Sequence, residues 1–552
     1  MYKPVKITDV TLRDGQEDFV LKYLPVAELT RLVGLLDRVG FYSLDGWGGT
    51  TFYAALTGMQ EDPWERLRAL RRALSHTPLQ MIIRGRMLVG FKPYHQEVVR
   101  RFVNRAAQLG VDIFRVYDTL NDVDNLTGPI MVAKELRKQV EATVLISANP
   151  EVTQEDYLLM INRLSQLGAD VLCINDSFGV LTPHQVKSLV SACKRYFYQP
   201  IRLHVHDNRQ AAVSCYQEGV RQGAELVDTT LGTLSWPYGP PPLESLAFSL
   251  GGTSYDPHVD LDVLAEASEY VDYLKEKYRY REPAVKKVED GLIPGPLKEF
   301  IREELIRREA RDRQSQAFKE GQQVWADLGY PALKGRLLEI VGLQAVANVL
   351  DGGRYQHLIP PMLDLLRGKY GRLHVPVLPD LLHRALTGLE FPEEKGIEKE
   401  GRLLSRPDLQ NEDDLITYSL FPEEAEVFFL GRGRGGGVRP TPMVPPAAPE
   451  PSLAPAATRQ LTLVYKGDEV AARLEGVGDT PKGPKRLFIK IHDQVEAVEV
   501  EPVAEPEEEP YYLVTFHGDT YRLKLSRTFS REQEFTAVLV EINGKLEEFL
   551  IR

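Results

Sequence analysis

Cysteine is scarce in this sequence. Its three cysteines, Cys173, Cys193 and Cys215, are an odd number without the spacing of a disulfide framework. We therefore expect the protein to be located in the reducing cytoplasm. Long hydrophobic runs are also missing, because no stretch of about 18 apolar residues occurs, and a membrane span is therefore not expected. The first residues, MYKPVKITDV, lack the apolar core of a signal peptide, so we do not expect a signal peptide.

The sequence also lacks an excess of positive charge. The 67 lysines and arginines are outnumbered by 79 aspartates and glutamates, which gives a net charge of -12. Non-specific nucleic-acid binding needs a basic surface that displaces counterions, so we expect no nucleic-acid partner. Hydrophobic residues make up 43% and charged residues 26% of the chain, as in soluble globular proteins, and 552 residues suffice for two or three domains.

The first half of the chain alternates short apolar segments with longer amphipathic ones. Each apolar segment has the length of a strand, and several of the helical patterns between them end at a glycine stop. Eight strand–helix units in series predict an α/β fold, a (β/α)8 TIM barrel over residues 1–282. The predicted strands are 5–12, 42–47, 79–84, 113–118, 144–149, 171–176, 201–207 and 226–231.

Three further regions follow the predicted barrel. Residues 283–430 carry apolar residues at helical spacing and predict a helical domain. Residues 431–460 are almost all Gly, Pro, Ala and Arg and predict a flexible linker. Residues 461–552 place Gly turns between β-branched and aromatic runs, which predicts a small C-terminal β domain of hairpins.

Polar residues at the ends of the predicted strands are the first candidates for a site, because TIM barrels place their active sites at the C-terminal strand ends. They are Arg13 and Asp14, Asp45 and Trp47, Arg84, Asp118, Asn149, Asn175 and Asp176, His204 and His206, and Thr229 and Thr230.

The pair His204 and His206, in the run LHVHD, is the most informative of these. Side chains two apart on a strand point to the same face, so both imidazoles face the barrel mouth. A carboxylate from a nearby strand would complete a metal site, and Asp14 is within reach because only one strand separates the first from the seventh. The alternative is two ordinary histidines at a strand end.

Arg84 is a candidate for binding a substrate carboxylate, since its planar guanidinium matches that group. The alternative is a structural ion pair with Asp45 or Asp118. The run DTLNDVDNL, at 118–126, offers further polar groups, and we expect it to cap the following helix.

Several motifs together resemble the carboxyltransferase component of biotin-dependent enzymes, a family that includes pyruvate carboxylase, the oxaloacetate decarboxylase alpha subunit and the keto-acid subunit of transcarboxylase. The resemblance continues into the helical region through IPGPLKEF and LLEIVGLQAVANVL and covers about residues 1–430. The motifs of the barrel are TLRDGQ, DGWGGTTFYAAL, EDPWERLRALRRAL, TPLQMIIRGRMLVGFKPY, IFRVYDTLNDVDNL and LHVHD.

The resemblance implies a divalent metal, Zn, Mn or Co, held by Asp14, His204 and His206. The family's fourth ligand is a carbamylated lysine, which falls here at Asn175, at best a weak ligand. The resemblance also implies that Arg84 binds the keto-acid carboxylate, with Arg13 and with Glu17, which stands where the family has glutamine, as further catalytic candidates. The family's proton-shuttling threonine, sought after the eighth strand, has no counterpart in segment 234–246.

The implied activity is transfer of CO2 between carrier-bound biotin and a small 2-keto acid such as pyruvate or oxaloacetate. No lysine flanked by methionines, the usual biotinylation motif, follows the linker, so we expect biotin on a separate carrier protein, with a biotin carboxylase as a further partner. A homodimer is implied by resemblance only. Two alternatives stay open: a catalytically degenerate scaffold subunit, and a metal-dependent aldolase-like lyase, since DSFGVLTP resembles that group's DTxGxxTP run.

Overall fold

The structure, a computed structural model, describes residues 3–14, 24–149, 151–234, 239–278, 294–387, 409 and 411–432, together with strands between 460 and 551. It divides into two compact units, Met1–Val444 and Pro445–Arg552. The region predicted to be a barrel and the region predicted to be helical therefore belong to one unit. The division falls inside the segment predicted to be a linker.

The first unit is built on eight parallel strands. They are β1 (Lys6–Asp9), β2 (Ser43–Trp47), β3 (Leu79–Arg84), β4 (Ile113–Tyr117), β5 (Gln139–Leu145), β6 (Val171–Asp176), β7 (Ile201–Val205) and β8 (Leu226–Thr229). Each strand pairs with its neighbour in the chain, and β1 pairs with β8, which closes the barrel. The predicted (β/α)8 TIM barrel is confirmed.

The prediction for the fifth strand was wrong. The sequence placed it at 144–149, whereas β5 runs from Gln139 to Leu145, so Asn149 lies in the loop beyond the strand. The cause is the polar start of the strand: the side chain of Glu141 is fully buried inside the barrel, where it pairs with two arginines. A strand with a buried charge lacks the apolar pattern that marked the others.

Helices cover the outside of the barrel, and local sequence explains their limits. Thr153 and Thr182 each cap the N-terminus of a helix, and each side-chain hydroxyl accepts a hydrogen bond from a backbone N–H. Gly110 and Gly168 end helices with φ of 104° and 86°, a backbone conformation that favours glycine. The helices are α1 (Val26–Leu36), α2 (Gly49–Ala54), α3 (Pro63–Ala73), α4 (Gln96–Gln108), α5 (Val123–Glu135), α6 (Gln154–Gln166), α7 (Pro183–Tyr196), α8 (Ala212–Arg221), α9 (Leu243–Leu250) and α10 (Leu261–Lys277).

Charged side chains occupy the middle of the barrel. Arg115 of β4 and Arg202 of β7 each bind both Glu141 and Asp228, and all four side chains are fully buried. Buried charges are tolerated where they pair in this way, and removing one partner is strongly destabilising. This network fixes the inward side chains directly below the barrel mouth.

Seven helices follow the barrel in the described part of the first unit. They are α11 (Gly295–Arg307), α12 (Gln314–Asp327), α13 (Arg336–Leu350), α14 (Pro360–Leu366), α15 (Pro379–Leu386), α16 (Glu412–Leu420) and α17 (Pro422–Arg432). Helices α11 to α15 share an apolar core of their own. Helix α16 packs on the barrel, where the Trp64 indole N–H donates to Thr417 Oγ1 at 3.0 Å.

The second unit contains an antiparallel sheet whose strands follow one another in chain order. The strands are β9 (Gln460–Tyr465), β10 (Asp468–Gly478), β11 (Lys485–Ile491), β12 (Gln494–Val503), β13 (Tyr511–Phe516), β14 (Asp519–Leu525), β15 (Thr536–Ile542) and β16 (Lys545–Ile551). Across the described residues of the chain, no helix is both long enough and apolar enough to cross a membrane.

Candidate active site

Three potential metal ligands meet at the mouth of the barrel. His204 is the penultimate residue of β7, His206 follows the end of that strand, and Asp14 lies in the turn after β1. Asp14 Oδ2 is 2.8 Å from His204 Nε2 and 3.2 Å from His206 Nε2, and the two Nε2 atoms are 3.1 Å apart. All three ligand atoms lie within 4.8 Å of one another, as the two-residue spacing of the histidines predicted.

His204 is oriented by a carboxylate on its other side. Its Nδ1 lies 2.8 Å from Asp228 Oδ2. Burial alone would raise the pKa of Asp228, but Arg115 and Arg202 hold it well below its usual range, so Asp228 is an ionised acceptor. The proton of His204 therefore sits on Nδ1, and in the neutral ring Nε2 directs a lone pair at the mouth.

Electrostatics also favours a charged Asp14 and a neutral His206. Burial would raise the pKa of Asp14, but Arg13, Lys334 and the two histidines hold it well below its usual range. Burial is the main cause that lowers the pKa of His206 to about 4. An ionised carboxylate and unprotonated imidazoles are the forms that bind metal ions.

The Arg13 side chain lies beside this cluster. Its side chain is buried, with Nε 2.8 Å from Asp45 Oδ2 and a terminal nitrogen 3.4 Å from Asp14 Oδ1. The ion pair with Asp45 fixes the guanidinium, which in turn orients Asp14. The sequence indicated Arg13 as a catalytic candidate, and in the structure its position suits the support of a metal ligand.

Asn175 lies beside His204 on the inner face of the barrel. The two residues are paired in the register of β6 and β7, and paired residues of adjacent strands share a face. The Asn175 side chain is buried, and its Oδ1 accepts a hydrogen bond of 2.5 Å from Ser177 Oγ. The amide thus stands next to the cluster, with its oxygen already engaged.

Arg84, at the end of β3, points its guanidinium into the mouth. Its Nε donates to Tyr117 Oη at 3.2 Å, and Nη1 donates to the Gly90 carbonyl at 3.0 Å. Among the described residues it has no carboxylate partner, so the alternative of an ion pair with Asp45 or Asp118 was wrong. Asp118 instead accepts hydrogen bonds from its own loop, including the N–H of Leu120.

A segment from the helical region covers part of the mouth, which no sequence pattern indicated. Residues 329–335 connect α12 to α13, and Ala332 packs against Ile82, Tyr117 and Leu145 of the barrel. Asn149 Nδ2 donates to the Gly329 carbonyl at 2.9 Å. The next polar side chain of the segment, Lys334, has its ammonium 5.8 Å from the centre of the Tyr117 ring.

The remaining candidates have other positions. Glu17 lies outside the described residues, as do 235–238 of the segment searched for a threonine. Thr230 Oγ1 donates to the Pro240 carbonyl at 3.1 Å, which closes the loop after β8. Asp176 accepts from the backbone N–H groups of Val180 and Leu181 and shapes the loop after β6.

Comparison with known proteins places the chain in a family. A family model described as HMGL-like matches residues 4–271. The chain is 34% identical over 443 residues to a pyruvate carboxylase subunit from Methanocaldococcus jannaschii, a match that covers 77% of this chain and 78% of that protein. The chain belongs to the family of biotin-dependent carboxyltransferase subunits. The resemblance seen in the sequence is confirmed, and this carboxyltransferase subunit is an enzyme of that type.

Other matches to this carboxyltransferase subunit extend over most of its length. It is 30% identical over 529 residues to the 2-oxoglutarate carboxylase large subunit of Hydrogenobacter thermophilus, covering 91% of this chain and 81% of that protein. The solved carboxyl transferase domain from Rhizobium etli pyruvate carboxylase, with pyruvate and biocytin, matches at a TM-score of 0.71 and 25% identity. That match covers 90% of this chain and 89% of that domain, so it includes the helical region as well as the barrel.

Proposed function

We propose that this subunit transfers a carboxyl group between biotin on a separate carrier protein and a small 2-keto acid such as pyruvate or oxaloacetate. The convergence of Asp14, His204 and His206 within 4.8 Å at the mouth of the barrel is the observation that carries the proposal. The names of the relatives, which include pyruvate and 2-oxoglutarate carboxylases, support a 2-keto acid as the acceptor.

The donor set fits a divalent cation. With Nδ1 of His204 protonated toward Asp228, the Nε2 lone pair faces Asp14 Oδ2 at 2.8 Å, and two acceptors at that distance repel unless a proton or a cation lies between them. Two imidazoles and one carboxylate suit Zn, Mn or Co. When bound, such an ion would supply a Lewis acid for the keto oxygen of the substrate.

Arg84 would hold the carboxylate of the 2-keto acid. Its guanidinium is fixed by Tyr117 and by the carbonyl of Gly90, yet no carboxylate of the described residues neutralises it. A planar cation held in this way binds a carboxylate through two parallel hydrogen bonds. The acid is then oriented with its keto group toward the three ligands.

The proposal extends to partners and place. Because the relatives in Methanocaldococcus jannaschii and Methanothermobacter thermautotrophicus are each named as one subunit of a pyruvate carboxylase, we infer that a biotin carrier protein and a biotin carboxylase work with this chain. A homodimer and a cytoplasmic location complete the proposal. The first follows from the family resemblance and the second from the scarcity of cysteine.

One observation favours a second candidate, a scaffold subunit without catalysis. Asn175 stands beside His204 where the family has its lysine ligand, and its amide oxygen is engaged by Ser177. A site with three ligands keeps an open position, as catalytic metal sites do, so we favour the active enzyme.

Metal content and transfer activity test the two candidates together. We expect one equivalent of divalent metal in the purified protein, its loss in His204→Ala, and its retention in His357→Ala, which removes an exposed histidine of the helical region. With a carboxylated biotin carrier and pyruvate, oxaloacetate should form, and His204→Ala and Arg84→Gln should abolish it. Bound metal without transfer to any 2-keto acid, with activity gained in Asn175→Lys, would identify a degenerate scaffold.

A further inference from the structure

Two cationic side chains share the mouth of the barrel without a carboxylate partner among the described residues. They are Arg84, at the end of β3, and Lys334, in the segment between α12 and α13. Both approach the ring of Tyr117, since Arg84 Nε lies 3.2 Å from its hydroxyl and Lys334 Nζ lies 5.8 Å from its ring centre. The proposed function uses Arg84 and gives no role to Lys334.

The position of Lys334 is fixed by the segment that carries it. Ser147 Oγ donates to the Tyr330 carbonyl at 2.6 Å, and Ala332 is buried against β3, β4 and β5. Gly335 follows with φ of 51°, and a side chain there would come within 3.8 Å of the Arg84 guanidinium. The backbone on both sides of Lys334 is thus held at the mouth, so its side chain does not extend freely into solvent.

Among the described residues, Lys334 forms no ion pair with Asp14, the carboxylate of the candidate metal site. Asp14 is already balanced by Arg13, with which it forms an ion pair of 3.4 Å. The mouth therefore contains two positive charges, those of Lys334 and Arg84, that no carboxylate of the described residues neutralises.

We propose that Lys334 binds the second carboxylate of a 2-keto dicarboxylic acid whose first carboxylate is held by Arg84. This inference rests on the proposed function and makes dianionic acids the preferred substrates among the 2-keto acids that it covers. A methyl group, as in pyruvate, would leave the ammonium of Lys334 without a partner in a half-buried place. A distal carboxylate would form a charge-assisted hydrogen bond there.

Binding of two acids of equal length tests this role. 2-Oxoglutarate and 2-oxopentanoate share the 2-keto carboxylate and five carbons, and they differ only in the distal carboxylate. We would measure the dissociation constant of each by titration calorimetry with the metal-loaded full chain, without carboxylated biotin, so that no transfer occurs. A charge-assisted hydrogen bond should favour 2-oxoglutarate by roughly tenfold or more.

The variants assign the preference to Lys334. We expect Lys334→Met to bind both acids alike, at the affinity of 2-oxopentanoate, while Lys319→Met, which removes an exposed lysine of α12, keeps the full preference. Arg84→Gln should weaken both acids. Metal content and the thermal midpoint of Lys334→Met and Lys334→Gln should match those of the unmodified protein, which shows that the mouth is intact.

The outcomes separate this inference from the proposed function. If the unmodified protein binds both acids equally, or if Lys334→Met keeps the preference or weakens both acids to the same degree, Lys334 does not read the distal carboxylate. In those cases the proposed 2-keto acid site is retained, and only the role of Lys334 in binding a distal carboxylate is rejected. If the unmodified, metal-loaded protein binds no 2-keto acid, the proposed function and this inference fail together.

Discussion

Asp228 Oδ2 lies 2.8 Å from His204 Nδ1, and the same carboxylate binds the two buried arginines at the centre of the barrel. The orientation of His204, a proposed metal ligand, is thereby linked to the ion pairs that hold β4, β5, β7 and β8 together. A carboxylate behind a metal-binding imidazole fixes its tautomer and increases its basicity. The ion pairs inside the barrel therefore fix the orientation of one member of the proposed metal site.

Asp228→Asn should weaken metal binding by roughly 10- to 100-fold, because the neutral amide no longer strengthens His204 as a ligand. The measurement is a competitive titration against a chelator. Glu141→Gln is the matched control, since Glu141 is equally buried and binds the same two arginines without touching His204. An equal loss of metal affinity in both variants would attribute the effect to general loosening of the barrel.

Gly49→Ala should impair use of the 2-keto acid while leaving the metal in place. A Cβ at Gly49 would lie 2.8 Å from one terminal nitrogen of Arg84, so the guanidinium must move. A misplacement of about 1 Å costs up to roughly a hundredfold in rate, and we expect kcat/KM in the carboxyl transfer assay to fall by at least tenfold.

The control for this change is Gly34→Ala, in α1, where no atom lies within 4 Å of the new Cβ. It should leave kcat/KM unchanged and raise stability by about 0.4–1 kcal/mol, because alanine restricts the unfolded chain. Unaltered kinetics in Gly49→Ala would mean that Arg84 can shift without consequence, which would contradict its role as the carboxylate ligand.

The sequence predicted the fold and the meeting of three candidate ligands because both depend largely on regular strand patterns. Apolar strands of regular length indicated the barrel, and the alternation of side chains along a strand placed His204 and His206 on one face. Asp14 could be added because strand order in a closed barrel follows chain order. These rules concern residues that are close in sequence or strands whose order is known, and the structure agrees with them.

Other features depend on contacts distant in sequence, and these could not be predicted. The start of β5 was missed because Glu141 is balanced by arginines of β4 and β7. Lys334 reaches the mouth because the segment between α12 and α13 packs on the barrel through Ala332, and no pattern in that segment indicates this contact. Asp228 carried a usable signal, a carboxylate inside a strand that is fully buried, whereas the strand-end rule indicated the neighbouring threonines.

Asp413→Ala should destabilise the first unit by about 2–3 kcal/mol, because it removes the buried carboxylate that Arg68 and Arg105 share. Asp413, in the first turn of α16, is buried and binds Arg68 and Arg105 of the barrel helices α3 and α4. Glu412→Ala is the neighbouring control, since its ion pair with Arg101 is about half exposed and should contribute less than about 1 kcal/mol. Urea unfolding measures both, and similar losses would show that the pairs of Asp413 are as weak as a surface ion pair.

Asp37→Asn should reduce stability near neutral pH and have little effect in acid. Burial would raise the pKa of Asp37, but the backbone N–H groups of Thr77, Ser75 and His76 bind its carboxylate and lower the pKa to about 2. Since the folded-state pKa lies below the ordinary value of 3.8, the stabilisation is complete above pH 3.8 and is lost as the pH falls through about 2.

At pH 7 we expect a loss of about 1–2 kcal/mol in Asp37→Asn, and urea midpoints at a series of pH values should converge with those of the unmodified protein only below about pH 2. His76→Ala tests the source of the effect. The His76 ring contacts Asp37 at 3.1 Å but is mostly exposed, so its removal should change little at any pH. If the midpoint of Asp37→Asn differs from that of the unmodified protein by the same amount at every pH, the charge of Asp37 is not what stabilises the loop at 75–77. The backbone hydrogen bonds alone would then explain its conformation.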